Sequence, residues 1–430
     1  MDSFVPGISL VEPHPLMTLP FLVMLIGIAV MPFVHAHWWE RYLPWVVAGL
    51  GSVTVVYYVF SLHNGLRMVH AAHEYVSFMV LVGSLFIVSG GIHIEVKGEA
   101  KPWLNCLFLV VGALAANLIG TTGASMLLIR PWIRMNKYRF TGFHLIFFIF
   151  IVSNAGGALT PIGDPPLFLG YLKGVPFWWV AQNCWKPWLV MVGGLITVFY
   201  FLDRRNFLRA PASIREVETG KQYWKVEGGV NFLFLILIVA AVFIKKPNGF
   251  RECLMALAAV GSWFLTPSRV HEANLFTLRP IREVGWLFLG IFATMAPALD
   301  YLQAHAGSLG LNSDSKYYLC TGSLSAVLDN APTYLAFLAT AMGNAHLNLE
   351  NPQDIQAFSV SHVGELMAIS LGSVFFGAFT YIGNGPNLLI KAMVEEMKIK
   401  TPSFFSYVIR YSFPVLFPLI ILICWMFFSQ

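Results

Sequence analysis

The sequence predicts an all-α polytopic membrane protein. It is read as two inverted repeats, each of five transmembrane helices plus one re-entrant hairpin, with discontinuous helices at the midplane. Three observations predict this. The first is composition: of 430 residues, 57% are hydrophobic and only 11% are charged, with a mean hydropathy of +0.68. Soluble proteins carry roughly 25% charged residues, so this chain could not cover a water-facing surface and lipid is its solvent. The second is the sidedness of Lys and Arg, and the third is an internal repeat of a Gly- and Pro-bearing motif.

Apolar runs of spanning length lie near 16–35, 43–62, 74–94, 141–170, 185–202, 230–245, 252–266, 284–302, 361–390 and 406–428. Trp38, Trp39, Trp45, Trp103, Trp185, Trp286 and Trp425 fall near their ends, where interfacial anchors belong. Segments 103–133 and 317–343 are apolar but interrupted, by Gly120-Thr-Thr-Gly-Ala-Ser125 and Leu328-Asp-Asn-Ala-Pro332. Each is either one long broken span or a hairpin that enters and leaves on the same side.

The distribution of positive charge decides between these. With both segments re-entrant and the N-terminus outside, 20 of the 27 Lys and Arg face the cytoplasm. If both span, the count becomes 13 against 14. The re-entrant arrangement is therefore expected, with ten spans and both termini periplasmic.

The repeat supplies the handedness. Gly157-Ala-Leu-Thr-Pro-Ile-Gly-Asp-Pro-Pro-Leu167 matches Gly377-Ala-Phe-Thr-Tyr-Ile-Gly-Asn-Gly-Pro-Asn387 at six of eleven positions. Each half then carries an odd number of spans, so the second is inserted upside down. Residues 1–202 form the first repeat (hairpin 103–133, broken helix 141–170) and 230–430 the second (hairpin 317–343, broken helix 361–390). The polar stretch 203–229 is the cytoplasmic linker. Inverted repeats with broken helices are an architecture of secondary transporters.

Unpaired backbone survives at membrane depth only where it lines a protein cavity, so the four breaks mark the chemistry. Around them the first half offers Thr121, Thr122, Ser125, Asn154, Thr160 and Asp164. The second offers Asp329, Asn330, Thr333, Thr380, Asn384 and Asn387. These are oxygen donors, which suit Na+ or Li+ better than a transition metal. Asp164 and Asp329 are the deepest acids, and neither motif contains Lys or Arg. A carboxylate at that depth is costly unless it works or is paired; Asp329, at a hairpin tip, is the leading candidate to hold either H+ or Na+. The plainer reading is that these residues cap broken helices.

Ser153-Asn-Ala-Gly-Gly-Ala-Leu-Thr-Pro-Ile-Gly-Asp-Pro-Pro-Leu167 resembles the first broken-helix motif of NhaD-type sodium/proton antiporters. These belong to the ion transporter superfamily, with citrate and dicarboxylate carriers and arsenite permeases. Leu328-Asp-Asn-Ala-Pro-Thr333 and Thr380-Tyr-Ile-Gly-Asn-Gly-Pro-Asn387 resemble the second-half tip and broken helix of that group. The resemblance implies a homodimer in the bacterial inner membrane that exchanges Na+ or Li+ for H+ by alternating access. The alternative is a cation-coupled citrate or dicarboxylate carrier. The dicarboxylate carriers have a Ser-Asn-Thr signature at both tips, whereas the tips here read Thr121-Thr-Gly-Ala-Ser125 and Asp329-Asn-Ala-Pro332.

Other classes find no support. A formal charge of +5 is spread over short loops without a basic stripe, so nucleic acid is not an expected partner. The five cysteines have no paired spacing, and no cofactor motif, Walker motif, zinc motif or nucleophile elbow is present, so no enzyme is expected. No Lys or Arg precedes Arg41, so the first apolar run lacks the basic start of a secretory signal. His70-Ala-Ala-His73-Glu74 reads as an interfacial histidine cluster, His144 as a possible proton relay, and Asp300 as a span-end residue that snorkels or caps.

Overall fold

The computed structural model describes residues 11–97, 101–209, 223–244, 246–247 and 249–429. Helices dominate these residues. Seven are long and apolar enough to cross a membrane: Pro15–Val34, Ala36–Ser61, Gly65–Gly90, Pro102–Met135, Trp179–Arg209, Arg279–Ala304 and Phe404–Phe427. The pair Pro352–Ser361 and Val363–Gly377, bent by 100°, brings the number to eight if taken as one span. Their outer faces are apolar: Trp45, Phe60 and Trp425 are 74%, 71% and 70% exposed. Such faces belong against lipid.

The ten apolar runs do not map one-to-one onto these helices. Val230–Val242 and Phe250–Leu265 have 13 and 16 residues, about 20 and 24 Å at 1.5 Å per residue. That is short of the roughly 30 Å hydrocarbon layer. The run 141–170 is split into Gly142–Ile151 and Pro165–Lys173 by the Gly- and Pro-bearing stretch between them.

Pro102–Met135 is not a straight rod. Gly120 takes φ 76° and ψ 154° in its middle, a backbone that only glycine adopts readily. Residues 105 and 136 would lie about 46 Å apart on an unbroken helix. Instead Asn105 Nδ2 donates to Asn136 Oδ1 at 2.7 Å, and Asn136 Nδ2 donates back at 3.1 Å. Phe108 stacks on Trp132 just above, with ring centroids 5.4 Å apart. The segment doubles back at Gly120. Asp314–Ser325 and Asn330–Asn344 do the same, and Asn344 Nδ2 donates to Tyr317 OH at 2.8 Å across the open end.

The 26-residue helix Gly65–Gly90 serves as a ruler for these two hairpins, being about 39 Å long. Arg67, in its first turn, ion-pairs with Glu350 just beyond the second hairpin at 3.0 Å. His93, just past its last turn, lies 3.5 Å from Arg134 at the base of the first hairpin. The hairpins thus enter from opposite ends and point their tips at each other.

Two short strands depart from the all-helical reading. His93–Lys97 pairs antiparallel with Tyr223–Glu227, His93 opposite Glu227. The alternation of apolar and polar residues in Ile94-Glu-Val96 and Trp224-Lys-Val226 is the local signal for it. The linker 203–229 is therefore not one polar loop. Residues 203–209 continue the helix Trp179–Arg209, 223–227 form the second strand, and 210–222 lie outside the described residues.

Candidate functional site

The two breaks begin with glycine contacts that admit no side chain. A Cβ on Gly163 would sit 1.9 Å from Gly157 O, and one on Gly383 would sit 2.7 Å from Gly377 O. In each break the chain therefore closes on itself, then restarts as a helix with proline in its first turn: Pro165–Lys173 after Asp164, and Gly385–Glu396 after Asn384. Both Asp164 and Asn384 occupy the position where a side chain ordinarily caps the helix, and neither does so. Their side chains are free to meet the hairpin tips.

Asp164 is 1% exposed. Its Oδ1 accepts from Thr121 Oγ1 at 2.8 Å and from Asn384 Nδ2 at 3.0 Å. Its Oδ2 accepts from Asn330 Nδ2 at 2.6 Å. One donor comes from each hairpin tip and one from the opposite break. Behind them Asn384 Nδ2 reaches Asn154 Oδ1 at 3.1 Å, and Asn154 Nδ2 reaches Asn387 Oδ1 at 2.7 Å. Asn387 Nδ2 closes the chain of amides on Gly377 O and Thr380 O, at 2.8 and 2.9 Å.

Two features make this a site. The first is a cavity of about 30 Å³ beside Asp164, bordered by Gly120, Thr121, Thr122 and Gly123 of the first tip. That volume suits one water molecule or one bare monovalent cation. The second is the Oδ1 of Asn330, buried without a hydrogen-bond partner, and such an orphan oxygen calls for a donor or a cation. No Lys or Arg hydrogen-bonds or ion-pairs with Asp164 among the described residues. A buried carboxylate with only neutral donors remains under-compensated. A proton or a hard cation would complete it.

Residues 12–428 match the family described as "Putative citrate transport". The chain belongs to that family. A search of the curated proteins finds no match to it. Membership in the citrate-transport family carries the ion transporter superfamily read from the motifs; it does not single out the NhaD-type branch. The protein is accordingly a helical, multi-pass membrane protein of a transporter family.

Within this member of the citrate-transport family, the twelve residues singled out by sequence fall into two groups. Thr121, Asn154, Asp164, Asn330, Asn384 and Asn387 form the connected centre, and Thr122 borders its cavity. The other five bond elsewhere. Thr160 Oγ1 donates to Asn117 O in the first hairpin, and Thr380 Oγ1 donates to Ala326 O in the second, each at 2.6 Å. Thr380 also accepts from the backbone N–H groups of Ile382 and Gly383, so both lone pairs of its hydroxyl are used. Ser125 bonds Ser153, and Thr333 donates to Asp329 O one turn back. Asp329 is half-buried and accepts from Ala331 N at 3.0 Å, which makes it the cap of Asn330–Asn344.

Two buried charge clusters were not visible in the sequence. At one end Arg139 and His144 meet Asp203 (His144 Nε2 to Oδ1, 2.9 Å), and Asn105 donates to the same carboxylate at 2.9 Å. His144 is thus tied to the base of the first hairpin. At the other end Arg67 bridges Asp300 and Glu350 at 3.2 and 3.0 Å, and Lys173 bridges Glu74 and Glu350 at 2.8 and 2.6 Å. Burial would raise the Glu350 carboxyl, but Arg67 and Lys173 outweigh it and hold it below the usual glutamate range. Asp300 does not snorkel or cap; it is buried and accepts from Tyr58 OH at 2.7 Å. Among the described residues no group of three or more His, Cys, Asp or Glu could hold a metal ion.

Proposed function

We propose that this protein is a cation-coupled secondary carrier of a citrate-class carboxylate, working by alternating access, with Asp164 as the group that takes Na+ or H+. One observation carries the coupling: Asp164 is buried, held by three neutral donors from two hairpin tips and the opposite break, and has no basic partner among the described residues. A carboxylate so placed is completed by a proton or by a cation, and by one at a time. Occupancy of the centre then decides whether the two tips stay docked on it. The family description supports the cargo.

The inverted repeat, the homodimer and the inner-membrane setting with both termini periplasmic belong to this proposal. Support for the repeat comes from the hairpins entering from opposite ends and from Thr160 and Thr380 making the same bond to a hairpin carbonyl. Alternating access needs such a pair of related arms.

A second reading is Na+ or Li+ exchange for H+ with no organic anion. The observation favouring it is that, among the described residues, no Lys or Arg borders the cavity beside Asp164 to clamp a carboxylate. The test uses purified protein in liposomes with an imposed Na+ gradient, measuring ¹⁴C-citrate uptake and internal pH together. Citrate uptake that needs Na+ or a proton gradient supports the carrier. A pH change driven by Na+ with no citrate present, and no citrate uptake, replaces it with the exchanger.

A further inference from the structure

A second cleft, of about 550 Å³, opens where Gly385–Glu396 ends and Phe404–Phe427 begins. It shares no lining residue with the cavity beside Asp164. Its walls carry Lys391, Lys400 and Arg410 with the hydroxyls of Thr401 and Ser406. The one acid there, Glu395, is already engaged by Lys391 Nζ at 2.7 Å and by Thr401 Oγ1. Lys400 and Arg410 are exposed and have no acidic partner among the described residues.

Arg410 is carried on a helix that spans the membrane by length and composition. An arginine there is costly unless its guanidinium reaches an interfacial group. The same helix presents Phe405, Ile409, Phe413 and Phe417 outward at four-residue spacing, 74%, 65%, 52% and 41% exposed. A cationic, hydroxyl-lined cleft thus continues into an apolar stripe on one helix. Guanidinium, ammonium and hydroxyl groups are phosphate donors, and the stripe suits acyl chains.

We infer that this cleft binds the phosphate of an anionic phospholipid head group, with the chains lying along Phe405, Ile409 and Phe413. The ligand would touch both the helix that starts at the second break and the final helix. The break just before the first of these helices and the turn just before the second are already joined by Tyr381 OH donating to Pro402 O at 3.1 Å. Lipid occupancy therefore bears on the helix that follows Asn384.

The test uses the full-length protein in a neutral detergent, with thermal unfolding followed in mixed micelles. Dioleoyl-phosphatidylglycerol should raise the midpoint, while phosphatidylcholine and inorganic phosphate at equal concentration should not. The double variant Lys400→Gln/Arg410→Gln should bind phosphatidylglycerol about 25-fold more weakly, fivefold per charge removed, with an unchanged lipid-free midpoint. Arg410→Lys should retain most of the affinity. If the double variant does not fold, native mass spectrometry of Lys400→Gln should still register the fivefold loss of bound lipid. Equal stabilisation by phosphatidylcholine, or wild-type affinity in the variants, overturns the proposal. A midpoint shift by inorganic phosphate as large as that by the lipid also overturns it and assigns the cleft to a soluble anion.

Discussion

Asn384 donates to Asp164 at 3.0 Å across 220 residues of chain. Each is the eighth residue of its eleven-residue motif, so the two motifs meet at corresponding positions. One copy supplies the acid and the other the amide. A carboxylate in both copies would place two negative charges in contact, and an amide in both would leave nothing to titrate. The centre is therefore asymmetric in charge across two copies of one sequence motif.

Asp164 and Asp329 should separate cleanly. Asp164→Asn removes the titratable group and turns an acceptor of three hydrogen bonds into a partial donor, so cation-driven transport should be lost. Asp329 caps a helix through Ala331 N, and asparagine caps about as well as aspartate. Asp329→Asn should keep transport within a few-fold of wild type. Initial rates in proteoliposomes check both, and loss of transport in Asp329→Asn with survival in Asp164→Asn reverses the assignment.

Thr121 and Thr380 should differ in what their valine variants lose. Thr121→Val removes the 2.8 Å bond to Asp164, and the apparent Na+ affinity should fall roughly tenfold, on the scale of a hydrogen bond to a charged group. Thr380→Val removes one bond donated to the second hairpin and two accepted within the break. Its main effect should be a lower unfolding midpoint. Binding titrations and thermal scans on the same preparations distinguish the two.

Gly163→Ala and Gly383→Ala place a methyl 1.9 Å and 2.7 Å from a backbone oxygen. Backbone cannot swing aside as a side chain can, so each should cost at least about 1–3 kcal/mol, with Gly163 the more severe. Gly49→Ala, which meets nothing within 4 Å, is the neutral control. Folded yield and unfolding midpoint are the readouts.

Acid should weaken the protein through Glu350. Its folded-state carboxyl is held below the unfolded value by Arg67 and Lys173, which for glutamate is about 4.3. The stabilisation is then fully present above that pH and is lost as pH falls through the folded value. Glu74, Asp300 and His70 face the same cluster, so the measurement is the difference between wild type and Glu350→Gln. The variant should be about 3–5 kcal/mol less stable at neutral pH, since two buried cations lose their shared partner. The difference should shrink on acidification below about pH 4.3, and a gap independent of pH would rule the mechanism out.

What could be read ahead of the structure followed from burial in lipid. A carboxylate or a glycine run inside an apolar stretch has no ordinary reason to be there, so Asp164 and the break at Gly120 stood out locally. Asp329 stood out for the same reason, yet half-burial and the bond from Ala331 N make it a cap, a distinction that needs the local backbone. Asp300 and Arg67 are 233 residues apart, and no spacing rule connects them. Hydropathy registers apolar length and not where a helix stops, so the run 230–245 did not foretell the 13-residue helix Val230–Val242.

The carboxylate of Asp164 is synthesised 220 residues before Asn384. At translation speeds of about 5–20 residues per second, it waits roughly 10–40 s for that partner, and for Asn330 somewhat less. Until Asn330 follows, Thr121 is the only one of its three donors present. A nascent first half in the bilayer therefore holds an almost unsolvated acid, which must travel protonated or remain near water until the rest of the chain arrives. Insertion of the late helices, more than that of the early ones, is what completes the donor set around this residue inside the membrane.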